Sequence, residues 1–171
     1  MVRILQINDR EEKIQKIANL YQNVWQSEDN DSIYERFLRH STYEGYKGLV
    51  VVNGYGEIAG FAYGYTSLPG QYYNGLLAKE LDSIERKKWL GDCFEFVELA
   101  VDSNYRKQGF GRLLVRNLLE GLVHKTAILT TQVHNHSARH FYEGLDWEVV
   151  KEPFFPSEKS EPFVIMGKEL N

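Results

Sequence analysis

The sequence predicts an α/β domain in which a mixed sheet is flanked by helices. Three observations predict it. Residues near the N-terminus alternate with strand period, and two apolar, strand-like segments flank an Asn-Gly turn. Between those strands, apolar residues recur at helical spacing. The second half then reads strand, helix, strand, helix and a closing pair of strands, the order of a layered α/β sheet.

Taken in order, residues 2–7 alternate as a strand. A helix over 9–24 places Ile14, Ile17, Ala18, Tyr21 and Val24 on one face, with Asp9 as its N-cap. A weaker helix is expected over 31–39. Strands at 49–52 and 58–65 flank Asn53-Gly54-Tyr55-Gly56, and Asn-Gly is the strongest short-range hairpin signal. Residues 66–75, rich in Gly, Pro and Tyr, read as a loop. Residues 76–90 read as one helix, with Leu77, Leu81, Ile84 and Lys88 at helical spacing. A strand follows at 94–101, a helix at 111–123, a strand at 127–133 and a short helix at 137–144. Segments 147–150 and 163–166 close the sheet. The length, 171 residues, suits a single domain over 1–171.

Composition narrows the function classes. Hydrophobic residues make up 43% and charged residues 26%, as in an ordinary soluble globular protein. A net charge of −4 argues against general nucleic-acid binding, which needs a basic face. It mildly favours a cationic small substrate, although acidic surfaces also serve solubility. The single cysteine, Cys93, excludes an internal disulfide. With no signal-peptide pattern, it fits a reducing cytoplasm. No stretch approaches the roughly 18 apolar residues of a membrane span, so no membrane partner is expected.

Three features carry little. Gly54-Tyr55-Gly56-Glu57-Ile58-Ala59 matches a loose dinucleotide fingerprint, but strand-like residues follow it where a helix should receive the phosphate. His136 and His140 stand at i, i+4 with His134 nearby, yet no glutamate or further ligand completes a metal set, and no metal is expected. Cys93 reads as a small buried apolar residue rather than a nucleophile.

The informative run is Tyr105-Arg106-Lys107-Gln108-Gly109-Phe110-Gly111-Arg112. It links an apolar strand to an apolar helix. Glycines let backbone N–H groups approach an anion, and the helix N-terminus adds partial positive charge, so the run predicts a phosphate cradle. A second block lies downstream, from Asn135 through Ala138, Phe141, Tyr142, Glu143 and Leu145 to Trp147.

The first run closely resembles motif A of the GNAT acetyltransferase superfamily, with Arg106, Gly109 and Gly111 in the defining [Q/R]-x-x-G-x-[G/A] places. The family's usual proline after the strand is Ser103 here. The downstream block resembles motif B, N-x-x-A-x-x-F-Y-E-x-L-G-[FW], except that Asp146 replaces a glycine. Asp tolerates the left-handed turn that glycine usually supplies there.

The resemblance implies a mostly antiparallel mixed sheet whose central strands, 94–101 and 127–133, splay apart to admit the pantetheine arm of acetyl-CoA. Backbone N–H groups of Gln108, Gly109, Phe110, Gly111 and Arg112 would hold the CoA pyrophosphate, with added charge from Arg106, Lys107 and Arg112. Pantetheine would pair with the backbone near Leu99 and Val101, and an N–H near Val101 would face the developing oxyanion. Asn135 would either bond near pantetheine or simply cap its helix. Tyr142 matches the family's general acid, which protonates the departing thiolate. The base that deprotonates the amine would be Glu95, with Glu98 second, or a water relay. The implied activity is transfer of an acetyl group from acetyl-CoA to a primary amine in a ternary complex. The acceptor would be a small-molecule amine or a protein amine, and a homodimer is compatible with the family. A non-catalytic acyl-CoA-binding sensor or interaction module is the alternative. Aromatics upstream, among them Trp25, Phe37, Tyr63, Tyr65, Tyr72 and Trp89, would line the acceptor side or fill the core.

Overall fold

The computed structural model describes residues 1–7, 10–26 and 29–170. The chain runs β1 (Arg3–Gln6), α1 (Arg10–Trp25), α2 (Asn30–His40), β2 (Lys47–Val52), β3 (Ile58–Thr66), α3 (Tyr72–Glu80), α4 (Ser83–Trp89) and β4 (Cys93–Val101). It continues through α5 (Phe110–Leu119), β5 (Thr126–Gln132), α6 (His136–Glu143), β6 (Glu148–Phe154) and β7 (Phe163–Glu169). The strands form one open seven-stranded sheet in the order β1-β2-β3-β4-β5-β7-β6. The β1/β2, β2/β3, β5/β7 and β6/β7 pairs are antiparallel, whereas β4 and β5 are parallel. That parallel ladder couples Cys93↔Thr126, Phe94↔Ala127 and Glu95↔Ile128 and stops there. Both strands continue, β4 to Val101 and β5 to Gln132. No helix among the described residues is long and apolar enough to cross a membrane.

The chain forms two compact units. The first comprises Met1–Tyr65 and Val97–Gly121, and the second Thr66–Phe96 and Leu122–Asn171. In the first, the apolar faces of α1 and α2 bury Ile14, Ile17, Ala18, Ile33 and Phe37 against Val50, Phe61, Tyr63 and Tyr65 of the sheet. Burial of this kind contributes about 1.5–3 kcal/mol per large side chain. In the second, Leu77, Leu81, Trp89, Cys93, Ile128, Phe154 and Ile165 form a separate core.

Four expectations need correction. The single helix over 76–90 is two helices. Asp82 accepts a hydrogen bond from Glu85 N at 2.8 Å, and the Glu85 carboxylate accepts one from Asp82 N at 2.8 Å. This reciprocal capping box starts a new helix after Leu81, whose backbone is extended. Ile84 consequently points to solvent, 79% exposed, rather than joining Leu77 and Leu81 in the core. The expected loop at 66–75 is shorter, because α3 already begins at Tyr72.

The helix expected to reach residue 123 ends at Leu119. Glu120 is extended, Gly121 is left-handed at φ 78°, and Lys47 Nζ donates to the carbonyls of Asn117 and Glu120 at 3.0 and 2.8 Å. A basic side chain thus takes the orphan carbonyls of the last turn. In the β2–β3 hairpin the left-handed residue is Gly56, at φ 81°, not the Asn-Gly pair. Asn53 instead closes the turn with its side chain, accepting from Tyr55 N and Glu57 N at 2.8 and 3.0 Å. The expected N-cap Asp9 lies outside the described residues.

Candidate active site

The glycine turn belongs to the first unit. Asp102 leaves β4 with its N–H donating to Ala59 O at 2.8 Å. A short helical turn at Ser103–Tyr105 follows, and then the backbone becomes left-handed twice, at Lys107 (φ 61°) and Gly109 (φ 82°). Left-handed residues in such alternation gather successive amides into an anion-binding concavity. Helix α5 begins directly after, at Phe110. Its first amides have no partner within the helix, and the N-cap Gly109 has no side chain to take them. Phe110 is buried and anchors the helix start, whereas Arg106, Lys107, Gln108 and Arg112 are exposed around it. Exposed cations, orphan amides and the helix dipole all suit a pyrophosphate.

Leu99 and Val101 lie half-buried at the end of β4 in the same unit, and so does Glu98. The Glu98 carboxylate stands 3.6 Å from the Arg36 guanidinium of α2. Arg36 itself lies over the rings of Tyr21 and Phe37, at 5.5 and 5.4 Å. Beside this pair, His40 Nδ1 and the Tyr63 hydroxyl are 2.7 Å apart. Burial, reinforced by Arg39 and Arg36, pushes the His40 pKa down to about 4. Burial and then the Glu98 charge push the Tyr63 hydroxyl well above its ordinary value. At neutral pH, therefore, Tyr63 keeps its proton and His40 is neutral, and the His40 tautomer decides which of the two donates. Tyr43 packs on both His40 and Tyr65, completing a cluster of aromatic and polar groups.

The second unit holds the other candidates. Glu95 is buried, 4% exposed, in the last residue pair of the parallel ladder. Tyr142 is 8% exposed and lies in a trio of rings with Phe96 and Trp147, each pair 5.9–6.0 Å apart and tilted toward edge-to-face. Trp147 is buried too, and its indole Nε1 has no acceptor among the described residues. Asn135 caps α6, accepting from Ala138 N at 3.1 Å. Arg139 ties the same helix down through a two-pronged contact with Glu152 at 2.7 and 3.2 Å and a bond to Val133 O at 3.0 Å. Asp146 adopts φ 71°, the left-handed turn expected of it.

The turn residues, Leu99, Val101 and Glu98 thus share one unit, while Glu95, Asn135 and Tyr142 share the other. Asn135 takes the capping role, one of the two expected for it. Cys93 is fully buried, and burial pushes its thiol far up, away from nucleophilic use. His134, His136 and His140 are exposed, and no metal-capable cluster occurs among the described residues. Of the aromatics, Phe37, Tyr63, Tyr65 and Trp89 fill cores, whereas Trp25 and Tyr72 are exposed. Sequence reasoning missed the Arg36–Glu98 and His40–Tyr63 pairs. Arg36 and His40 stand at i, i+4 on one helix, but nothing in the sequence says that β3 and β4 bring their partners.

A family model described as "Acetyltransferase (GNAT) family" matches residues 13–147. No curated protein sequence matches the chain. Among solved structures, the Escherichia coli ribosomal-protein-S18-alanine N-acetyltransferase is similar at 18% identity, with a TM-score of 0.71 over 99% of this chain and 94% of that one. Arabidopsis thaliana NAA60 in complex with acetyl-CoA is similar at 14% identity and a TM-score of 0.70, covering 99% of both chains. A mutant form of the Vibrio cholerae spermidine/spermine N-acetyltransferase SpeG gives 18% identity and 0.64, over 99% of this chain and 95% of that one. At these identities the likeness carries the fold.

Proposed function

The chain belongs to the GNAT acetyltransferase family, and from that premise we propose that it transfers an acetyl group from acetyl-CoA to a primary amine by direct attack in a ternary complex. The observation that carries this reading is the turn before α5, where two left-handed residues precede uncapped helix amides amid exposed cations. Arg106, Lys107 and Arg112, with the amides of residues 108–112, would hold the pyrophosphate. Leu99 and Val101 would take the pantetheine as a strand takes a neighbour. Acetyl-CoA supplies the thioester carbonyl.

Two proton transfers then fall to this chain's residues. An amine is ammonium at neutral pH, with a reference pKa near 10.4 for a lysine-like group, so it must lose a proton before attack. Glu95 is the proposed base. Its carboxylate is buried at the end of the parallel ladder. Glu98 is second, and its carboxylate is engaged with the Arg36 guanidinium. Tyr142 is the proposed acid for the thiolate, its ring orientation set by Phe96 and Trp147. The N–H near Val101 would face the oxyanion.

The acceptor class under this reading is a polyamine or a protein amine such as an N-terminus; the similar structures are named for spermidine/spermine and for the alanine of ribosomal protein S18. The buried single thiol fits a reducing compartment, and a cytoplasmic location goes with the proposal. The test is thiol release from acetyl-CoA over a panel of polyamines and peptide N-termini. Turnover on one class establishes the activity and names the acceptor. Tight CoA binding with no turnover on any amine would leave a non-catalytic acyl-CoA-binding module. Absence of CoA binding would overturn both.

A further inference from the structure

We infer that Tyr105 and Asn53 are positioning residues for the phosphate-binding turn, through a hydrogen bond that ties the β2–β3 hairpin to it. The inference rests on the acetyl-CoA reading above. Asn53 Nδ2 donates to the Tyr105 hydroxyl at 2.6 Å and to Glu57 Oε1 at 3.2 Å, while its Oδ1 accepts from Tyr55 N and Glu57 N. Every polar atom of this side chain is therefore engaged, and its orientation is set by the hairpin. Tyr105 is the last residue before Arg106, and its ring lies 6.1 Å from that of Phe110, tilted by 30°. Phe110 is the first residue of α5. One tyrosine side chain thus touches the hairpin with its hydroxyl and the helix start with its ring.

The turn needs such an external brace. Lys107 holds a left-handed backbone without being glycine, which disfavours this conformation relative to an ordinary turn. Residues 106–109 are exposed, so packing does not hold them. Two fixed points flank the entry to the turn, both on the hairpin: Asp102 N to Ala59 O at 2.8 Å, and Tyr105 to Asn53. Removing the second frees the turn to leave the geometry in which its amides converge. The penalty falls on the pyrophosphate and spares the acyl end of the donor.

The experiment compares Tyr105→Phe with the unaltered enzyme using two donors, acetyl-CoA and acetyl-pantetheine, which lacks the pyrophosphate. Tyr105→Phe removes only the hydroxyl and keeps the ring on Phe110. We expect its KM for acetyl-CoA to rise about 5–10-fold, the weight of one well-made hydrogen bond. The kcat at saturation and the KM for acetyl-pantetheine stay unchanged. Asn53→Ala gives the same split with a larger rise, because the hairpin turn also loosens. Unchanged KM for acetyl-CoA in Tyr105→Phe overturns the inference, and so does an equal rise for both donors, which signals general loosening. Calorimetric titration with CoA separates the two levels. If the unaltered protein binds no CoA, the acetyltransferase reading fails; if it binds CoA and Tyr105→Phe binds it equally well, only the positioning role fails.

Discussion

The turn at residues 106–111 and the helix α6 are held in opposite ways. The turn is exposed, and its shape lies in the backbone: left-handed dihedrals at Lys107 and Gly109 and uncapped amides at the start of α5. Helix α6 is held by side chains: the Asn135 cap, the Arg139–Glu152 fork and the rings of Phe96 and Trp147 around Tyr142. Under the proposed function, the difference follows from what each would present, an anion cradle at the turn and a proton donor at Tyr142. An anion cradle offers amides, which any residue carries, so the sequence there constrains dihedral freedom. A proton donor offers one hydroxyl, so the sequence there constrains packing around a single ring.

The contrast predicts different failures. Trp147→Ala has the largest expected effect, a loss of about 3–5 kcal/mol in unfolding free energy, since it empties a buried ring site. A denaturant midpoint measures it, and a loss below ~1 kcal/mol would mean that the trio does not hold α6. Tyr142→Phe keeps the ring, so stability should barely change, while kcat falls about 100-fold, within the usual range for losing a general acid. Steady-state kinetics at saturating donor decide it; unaltered kcat removes Tyr142 from the proposed chemistry. Gly109→Val acts on the backbone alone. A β-branched residue at φ 82° is strained by about 1–2 kcal/mol, and CoA affinity should fall roughly 10-fold with turnover at saturation retained. Isothermal titration with CoA is the check, and undiminished affinity would show that the left-handed geometry is dispensable. Asp146→Gly should do least. It eases the left-handed turn after α6 and frees the unfolded chain, so the net change in stability stays below ~1 kcal/mol.

The candidate site was legible in proportion to its reliance on local rules. The glycine turn could be read because left-handed backbone demands glycine or a tolerant residue, and Gly109 and Asp146 both occupy such positions. The Asn135 cap could be read as one of two roles because capping is local. Helix ends were less legible. The break between α3 and α4 was missed because Leu77, Leu81 and Ile84 continue the helical period, although Asp82 and Glu85 carried a capping-box signal. The Lys47 contact that caps the end of α5 comes from a strand far away in sequence, and no local pattern announces it.

What the sequence determined by itself was the α/β order of elements, the turn before α5, the motif around Tyr142 and the family they indicate, because each rests on residues close in the chain. Only the tertiary structure decided which partner each polar side chain received. It set Arg36 beside Glu98, His40 against Tyr63 and Asn53 against Tyr105. These pairs join residues 23 or more positions apart, and each depends on how helix, hairpin, strand and turn pack together, which no local spacing encodes.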